Sequence, residues 1–140
     1  MLVRDLMSSP PITAAPALPI PDAVHLMKSR GIRRLPVLDG PQLVGIVTDR
    51  DLREVMPGKV STLSPWEATS RLAAVSVSDV MRRSVLTTVA EADARDAAYT
   101  MLHHKVGALP VISDAGALVG VVTVSDILRD YARVPAEVQG

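Results

Sequence analysis

The chain contains no cysteine and no phenylalanine, and its aromatic residues are one tryptophan and two tyrosines among 140 residues. Without cysteine there can be no disulfide, no thiolate nucleophile and no cysteine-ligated metal site. So few aromatic side chains offer little surface on which nucleic-acid bases could stack. We therefore expect a core of Val, Leu, Ile, Ala and Met, and we regard nucleic acid as an improbable partner.

The chain also lacks an excess of charge of either sign, because 15 basic and 15 acidic residues give a net charge of zero. No overall field would therefore attract nucleic acid or an anionic membrane. No apolar stretch approaches the roughly 18 residues of a membrane span, and the first five residues carry an early acid rather than a signal-peptide run. We expect a cytoplasmic protein without a membrane partner.

The chain does contain two similar copies of one sequence unit, in residues 3–53 and 77–131. Matching residues keep a spacing of 74 before a predicted turn and 75 after it. A spacing that changes only at a turn, where chains absorb insertions, indicates an internal repeat. We divide the chain into repeat 1 (residues 1–56), a linker with a short helix (57–76), repeat 2 (77–134) and a C-terminal tail (135–140).

The sequence pattern of each repeat predicts a helix, a two-stranded hairpin and a second helix. The first helices are expected near residues 20–30 and 94–105, where apolar residues recur every four positions, and Asp93 is a suitable N-cap. Val-rich runs bounded by turn residues predict strands buried on both faces. Pro36 and Pro110 are expected at strand starts, where a missing N–H is tolerated.

The linker has a helix-start pattern of its own. Ser64 suits the capping position, Pro65 the first helical position, and Glu67 follows the cap by three residues. We expect a short helix near residues 65–73. We favour a role for Trp66 as a plug of the core or the linker; the alternative is a contact with another chain.

A motif of the form Gly-h-h-Thr-x-x-Asp, in which h is apolar, occurs in both repeats where a strand is predicted to pass into a helix. Helix N-termini carry unpaired N–H groups that favour phosphate. A carboxylate beside them can accept hydrogen bonds from both hydroxyls of a ribose. The same spacing is close to a capping box, so a purely structural role is the alternative. The motif residues in question are Thr48, Asp51, Thr123 and Asp126.

The two copies differ in the cations beside this motif. Repeat 1 has Arg33 and Arg34 before its first strand and Arg50 after its threonine, whereas repeat 2 has Gly107-Ala108 and Ser125 at the matching positions. Guanidinium groups bind phosphate bidentately, although a solvated surface role is the alternative for each arginine. We select Arg34 and Arg50 as candidate phosphate ligands, and we expect sites of unequal affinity.

The repeats resemble the cystathionine-β-synthase (CBS) domain family, and the chain looks like one CBS pair, or Bateman module, over almost its whole length. The resemblance is carried by the Asp-h-Met openings, by Ile12-Thr13 and Leu86-Thr87, by the Leu-Pro-Val strands and by the duplicated Gly-h-h-Thr-x-x-Asp motif. The linker is also similar to that of acetoin-utilization-type CBS proteins.

The resemblance implies an α/β (α+β) fold of two βαββα repeats packed sheet to sheet with pseudo-twofold symmetry. It further implies adenosyl ligands in clefts between the repeats, and a homodimer formed through the helices. The threonines would contact phosphate or ribose, the aspartates the ribose diol, and the Ile-Thr and Leu-Thr pairs the adenine through backbone groups, while Pro-Val pairs would form apolar walls. The predicted ligand-binding residues are thus Thr48, Asp51, Thr123, Asp126, Ile12, Thr13, Arg34, Pro36, Val37, Arg50, Leu86, Thr87, Pro110 and Val111.

We therefore expect a regulatory module that is not an enzyme and requires no cofactor. AMP, ADP, ATP or S-adenosylmethionine would act as a regulatory ligand, and binding would change the conformation that an unidentified partner protein recognises. The alternative is an interaction or scaffold module with non-functional clefts. No catalytic order of Ser, His and acid stands out, and adjacent His103 and His104 on a helix are poorly placed to share a metal ion.

Overall fold

The computed structural model describes residues 1–56, 64, 66, 67, 70 and 73–133. Their helices and strands form a mixed α/β fold with one antiparallel and one mixed sheet, which confirms the predicted fold class. In chain order the elements are α1 (Val3–Leu6), α2 (Ile20–Arg30), β1 (Arg34–Asp39), β2 (Gln42–Thr48), α3 (Asp49–Val55), α4 (Val77–Val80), β3 (Thr88–Val89), α5 (Ala94–His104), β4 (Ala108–Ile112), β5 (Leu118–Thr123) and α6 (Val124–Ala132).

The chain forms two compact units, and each combines parts of both sequence repeats. One unit is Ile12–Ser84, and the other joins Met1–Pro11 to Val85–Gly140. We call them the repeat-1 unit and the repeat-2 unit, after the repeat that supplies the hairpin. The opening of each repeat, with its short helix, thus belongs to the unit of the other repeat, so the sequence repeat and the compact unit have different boundaries.

The repeat-1 unit is built on the antiparallel pair β1–β2. Ala14 extends this sheet by a parallel bridge to Val37, and Arg82 extends it by an antiparallel bridge to Ile46. Its core is aliphatic, as the lack of aromatic residues predicts. The buried core residues are Ala14, Ile20, Ala23, Met27, Leu35, Val37, Val47, Leu52, Val77 and Met81.

The repeat-2 unit has the strand order β3-β4-β5, with β3 parallel and β5 antiparallel to β4. Ser8, from the opening of repeat 1, pairs antiparallel with Val121 of β5. The unit therefore repeats the architecture of the first one with exchanged partners. Its buried core residues are Val3, Ala97, Met101, Leu109, Val111 and Val122.

The glycine of each Gly-h-h-Thr-x-x-Asp motif is where the exchanged opening crosses the sheet. A Cβ added to Gly45 would lie 2.6 Å from the Sδ of Met81 and 2.9 Å from the carbonyl oxygen of Arg82. A Cβ added to Gly120 would lie 2.7 Å from the Sδ of Met7. Any side chain here would force the two chain segments apart, so close packing explains why the first residue of the motif is glycine.

Pro36 and Pro110 lie inside strands β1 and β4, so the prediction that they start these strands is wrong. Pro36 faces Ile46 in register, and both the N–H and the C=O of Ile46 bond to Arg82 on the far side of β2. The Pro36–Ile46 pair is therefore a non-hydrogen-bonded pair, in which a missing N–H removes no bond between β1 and β2. Pro110 occupies the same position opposite Val121.

The predicted first helices are confirmed. Helix α5 begins after Asp93, whose side chain accepts a hydrogen bond of 2.8 Å from the amide of Arg95. Helix α2 has Pro21 in its first turn and ends at Gly31 in the left-handed conformation (φ 63°). In the described part of the chain, no helix is long and apolar enough to cross a membrane.

The predicted burial of the strands on both faces holds for β1 and β4, in which successive residues are buried. In β2 and β5, buried residues alternate with half-buried ones. These two strands therefore present one face that is only partly covered.

The linker retains its predicted helix-start contacts. The amide of Glu67 donates to the hydroxyl of Ser64 over 3.1 Å, and the amide of Ser64 donates back to the carboxylate of Glu67 over 3.3 Å. Trp66 is exposed, so its favoured role as a plug is wrong. Much of the predicted helix at 65–73 lies outside the described residues.

Candidate functional site

The candidate site of the repeat-1 unit lies where β2 ends and α3 begins. The hydroxyl of Thr48 accepts a hydrogen bond from the amide of Asp51 over 3.1 Å, and the amide of Thr48 donates to Oδ2 of Asp51 over 3.0 Å. These reciprocal bonds are a capping box. Asp51 is only 8% exposed, so the cap holds a carboxylate in an almost buried position.

The repeat-2 unit reproduces this arrangement where β5 passes into α6. Thr123 accepts from the amide of Asp126 over 3.2 Å, and its own amide donates to Oδ2 of Asp126 over 2.8 Å. Asp126 is 9% exposed. The structural role predicted as an alternative is therefore present in both units, and it uses one oxygen of each carboxylate.

The second oxygen of each carboxylate is bound by an arginine that the sequence did not identify. Oδ1 of Asp51 accepts from Nη2 of Arg82 over 3.4 Å, and Oδ1 of Asp126 accepts from Nη1 of Arg129 over 3.2 Å. Arg129 lies three residues after Asp126 on one helix, so their spacing could have predicted the pair. Arg82 belongs to the opening of the other repeat, and only the exchange of openings brings it to Asp51.

These contacts leave each carboxylate able to bind more donors. An ionised carboxylate offers about four lone-pair directions, and the cap and the arginine occupy one on each oxygen. A vicinal diol could donate to the two remaining directions. Capping and ribose binding are therefore compatible at Asp51 and Asp126.

Arg34 is the cation that the fold places opposite the capping threonine. It pairs in register with Thr48 across β1 and β2, and directly opposed residues of a sheet present their side chains to the same face. Arg34 is half-buried, and this burial, followed by the neighbouring charge of Arg33, lowers the pKa of Arg34. Arginine stays charged at physiological pH, so the lowered pKa marks an incompletely stabilised cation. Among the described residues, no carboxylate lies within ion-pair distance of it.

The matching position in the repeat-2 unit is apolar. Ala108 is buried and pairs in register with Thr123, so no guanidinium stands opposite this threonine. The repeat-1 unit thus has a positive group beside its candidate site at a place where the repeat-2 unit has a methyl group.

Arg50, the other candidate cation, lies on the exposed side of α3. Its Nε is 3.4 Å from a carboxylate oxygen of Glu54, four residues along the helix, and both side chains are exposed. Such surface pairs contribute little to stability and rearrange readily. The role of Arg50 as a phosphate ligand stays a prediction.

The structure places the remaining candidates of each repeat in the same unit as its Thr and Asp. The side chains of Val37 and Val111 are fully buried in the cores, and Pro36 and Pro110 are also buried, so core packing accounts for all four. Their predicted role as ligand walls is untested. The other candidates are Ile12 and Thr13, which are half-buried, and Leu86 and Thr87, which are exposed.

Within the described ranges, no group of three or more His, Asp or Glu residues is arranged to hold a metal ion. The rings of His103 and His104 meet edge to face with their centroids 4.9 Å apart, and His103 stacks on Tyr99 at 5.7 Å. The adjacent histidines thus take part in an exposed aromatic cluster on α5.

Comparison with known proteins identifies the repeats. The sequence model of the CBS domain matches residues 3–58 and 77–133. Inosine-5'-monophosphate dehydrogenase of Thermoplasma acidophilum is 35% identical over 128 residues, which are 91% of this chain and 22% of that protein. The chain therefore spans about a fifth of the length of this curated relative.

Solved structures share the fold over nearly the whole chain. The CBS domain pair of protein MJ0100, in complex with 5'-methylthioadenosine and S-adenosyl-L-methionine, has a TM-score of 0.80 at 27% identity, covering 96% of this chain and 98% of that one. The acetoin utilization protein AcuB from Vibrio cholerae has a TM-score of 0.77 at 30% identity, with 96% and 92% covered. CBSX2 in complex with AMP has a TM-score of 0.76 at 26% identity, with 95% and 97% covered.

Proposed function

The chain belongs to the CBS domain family, and on this premise we propose that it is a regulatory module that binds adenosyl ligands at the strand-to-helix junction of each unit. The observation that carries the proposal is the duplicated arrangement of a capping threonine and a nearly buried aspartate. It is supported by two solved CBS proteins of similar fold, one with S-adenosyl-L-methionine and 5'-methylthioadenosine and one with AMP.

In this proposal the buried aspartates have two functions. The cap fixes the position of each carboxylate through Oδ2, so little conformational entropy is lost when a ligand binds. The remaining lone pairs of Asp51 and Asp126 accept hydrogen bonds from the 2'- and 3'-hydroxyls of the ribose. Thr48 and Thr123 contact the adjoining phosphate or ribose, and the backbone groups of the Ile-Thr and Leu-Thr segments contact the adenine.

We further propose that the two sites differ in the phosphate that they accept. In the repeat-1 unit, Arg34 faces Thr48 from the neighbouring strand, and its half-buried charge would be stabilised by an anion. In the repeat-2 unit the buried Ala108 stands in its place. A phosphorylated ligand such as AMP therefore prefers the repeat-1 unit.

The regulatory step is a change of conformation on ligand binding, recognised by a partner protein, and the chain itself carries out no reaction. Such coupling requires that the ligand binds one conformation more tightly than another. We propose a homodimer as the functional form. The scaffold alternative is favoured by one observation, namely that the caps alone account for Thr48, Asp51, Thr123 and Asp126.

A calorimetric titration with AMP and with adenosine tests the proposal. The Arg34→Ala variant should lose about tenfold or more of its affinity for AMP, because a hydrogen bond to a charged group contributes roughly 1.5–3 kcal/mol. Its affinity for adenosine, which has no phosphate, should be unchanged. Arg30→Ala, at the exposed end of α2, is the matched control and should bind both ligands as the wild type does.

Two results would count against the proposal in different ways. If Arg34→Ala weakened adenosine and AMP equally, Arg34 would support the fold of the site and not the phosphate. If none of AMP, ADP, ATP and S-adenosylmethionine raised the thermal stability of the wild type, the scaffold alternative would be favoured. A ligand at a hundred times its dissociation constant should stabilise by about 2.7 kcal/mol.

A further inference from the structure

A cleft of about 720 Å³ opens in the repeat-2 unit among helices α1, α5 and α6. Its volume lies within the range of roughly 300–1,000 Å³ that is typical of small-molecule sites. Thr123 and Asp126 do not line it, so the cleft is separate from the candidate site at the start of α6. Tyr131, which is mostly exposed, stands at its edge. Its apolar lining consists of Met1, Leu6, Ala94, Ala98 and Ile127.

The recess exists where repeat 2 carries small side chains and repeat 1 carries larger ones. Ala94 and Ala98 correspond to Ile20 and Val24, at the spacing of 74 residues that relates the two repeats here. Ile20 is fully buried in the core of the repeat-1 unit, and Val24 packs against that core. The two alanines lie four residues apart on one side of α5. They therefore leave open a space that the repeat-1 unit fills with its own side chains.

Charged side chains of both signs surround this recess. Asp93 and Arg95 lie at the start of α5, and Asp130 and Arg133 lie at the end of α6. Among the described residues, none of the four is within ion-pair distance of an opposite charge. At the positions that match Asp93, Arg95 and Asp130, repeat 1 carries the uncharged residues Pro19, Pro21 and Val55. The fold itself therefore does not require charges here.

Such a cleft is complementary to a ligand that carries both charges on an apolar body. A guanidinium group binds a carboxylate through two parallel N–H groups, and a carboxylate accepts hydrogen bonds from an ammonium group. The exposed ring of Tyr131 also attracts an ammonium group. A ligand with one kind of charge would leave two of the four side chains unmatched, and a ligand without apolar surface would leave the lining in contact with water.

We propose that this cleft is a further ligand site of the repeat-2 unit, and that it takes an apolar amino acid, either free or as a short apolar peptide. Arg95 and Arg133 bind the carboxylate of the ligand, and Asp93 and Asp130 bind its ammonium group. The cap at the start of α5 uses only Oδ1 of Asp93, so Oδ2 is available to the ligand. The apolar side chain of the ligand covers Ala98. The proposal does not depend on the adenosyl sites.

An NMR titration of the whole isotope-labelled chain with L-leucine and with leucyl-leucine tests the proposal. The backbone amide signals of Ala94, Ala98 and Ile127 should shift and reach saturation with at least one of the two probes. The probe that binds more tightly identifies the free amino acid or the peptide as the source of the ligand. N-acetyl-leucine amide has a similar apolar body without the charges, and it should bind at least about tenfold more weakly because hydrogen bonds to charged groups are lost.

The double variant Arg95→Gln with Asp130→Asn removes one charge of each sign from the edge of the cleft. Its circular dichroism should match that of the wild type, and it should bind the tighter probe at least about tenfold more weakly. The control, Arg4→Gln with Asp96→Asn, makes the same changes at exposed positions of the same unit outside the cleft and should bind as the wild type does.

Three results would overturn the proposal. The first is that neither probe gives saturable shifts at the cleft, which includes shifts confined to Thr123 and Asp126. The second is that N-acetyl-leucine amide binds as tightly as the charged probes. The third is that the double variant binds the tighter probe as the control does. None of these results bears on the affinity for AMP, so the adenosyl proposal is tested separately.

Discussion

Substitution of Asp51 separates its role in the cap from its proposed role in ribose binding. Asp51→Ala removes the acceptor of the Thr48 amide, and a buried donor left without a partner costs about 1–3 kcal/mol. The ion pair with Arg82 adds no more than about 1 kcal/mol, because Arg82 is 68% exposed and solvent screens the pair. At about 3–4 °C per kcal/mol for a chain of this size, the melting temperature should fall by roughly 3–16 °C.

Asp51→Asn is the matched variant, since an amide oxygen can still accept from the Thr48 amide. The cap is kept, so the loss of stability should stay below about 1 kcal/mol. In asparagine an NH2 donor replaces the second carboxylate oxygen, so one of the two ribose hydroxyls loses its hydrogen-bond acceptor. The ligand-induced rise in stability should therefore fall in both variants to the part that the unchanged site of the repeat-2 unit contributes, while only the alanine variant unfolds at clearly lower temperature.

Thermal and urea denaturation with and without ligand measure both effects on one sample. A full ligand-induced stabilisation in Asp51→Asn would refute the ribose contact and leave the cap as the only role of this residue. The pair Asp126→Ala and Asp126→Asn repeats the test in the repeat-2 unit, where Oδ1 is bound by Arg129 instead.

Substitutions at three further positions test this site and its surroundings. Gly45→Ala should lower the free energy of unfolding in urea by about 1–3 kcal/mol, because its Cβ would lie 2.6 Å from the sulfur of Met81. A variant as stable as the wild type would contradict the close packing of Gly45 against Met81. Thr48→Val should cost about 0.5–2 kcal/mol through the lost cap, and Thr48→Ser should be near neutral. Arg34→Met should stabilise the ligand-free protein slightly, since an incompletely stabilised charge is removed; a clear loss in thermal unfolding would show a structural role for the guanidinium.

Much of the candidate site could be predicted from the sequence because its internal geometry is local. The bonds between Thr48 and Asp51 join residues three apart, and a strand followed by Thr-x-x-Asp specifies them without reference to the rest of the chain. The N-cap Asp93 and the bounds of α2 and α5 are local in the same sense. Hydrogen bonds within one helical turn depend little on distant packing, so they can be read directly from residue spacing.

Apart from the local pair of Arg129 with Asp126, the contacts of the site that the sequence did not predict join segments far apart in the chain. Arg82 and Asp51, which form a hydrogen bond, are 31 residues apart in the sequence. The position of Pro36 inside β1 is tolerated because Ile46, opposite it, forms its hydrogen bonds with Arg82 on the other side of β2. The in-register pairing of Arg34 with Thr48 follows from the hairpin, but the absence of a nearby carboxylate among the described residues depends on what else packs there. No residue spacing encodes these contacts.

The sequence by itself determined the duplication, the order of helices and strands, the aliphatic core and the capping boxes, since each follows from composition or from interactions within a few residues. Only the tertiary structure decided that the opening helix of each repeat packs in the unit of the other repeat. It also decided that Gly45 packs against Met81 and Gly120 against Met7. It also decided that one face of α5 and α6 remains apolar and exposed. The reason is that burial and close packing depend on which distant segments meet, and this is settled when the whole chain has folded.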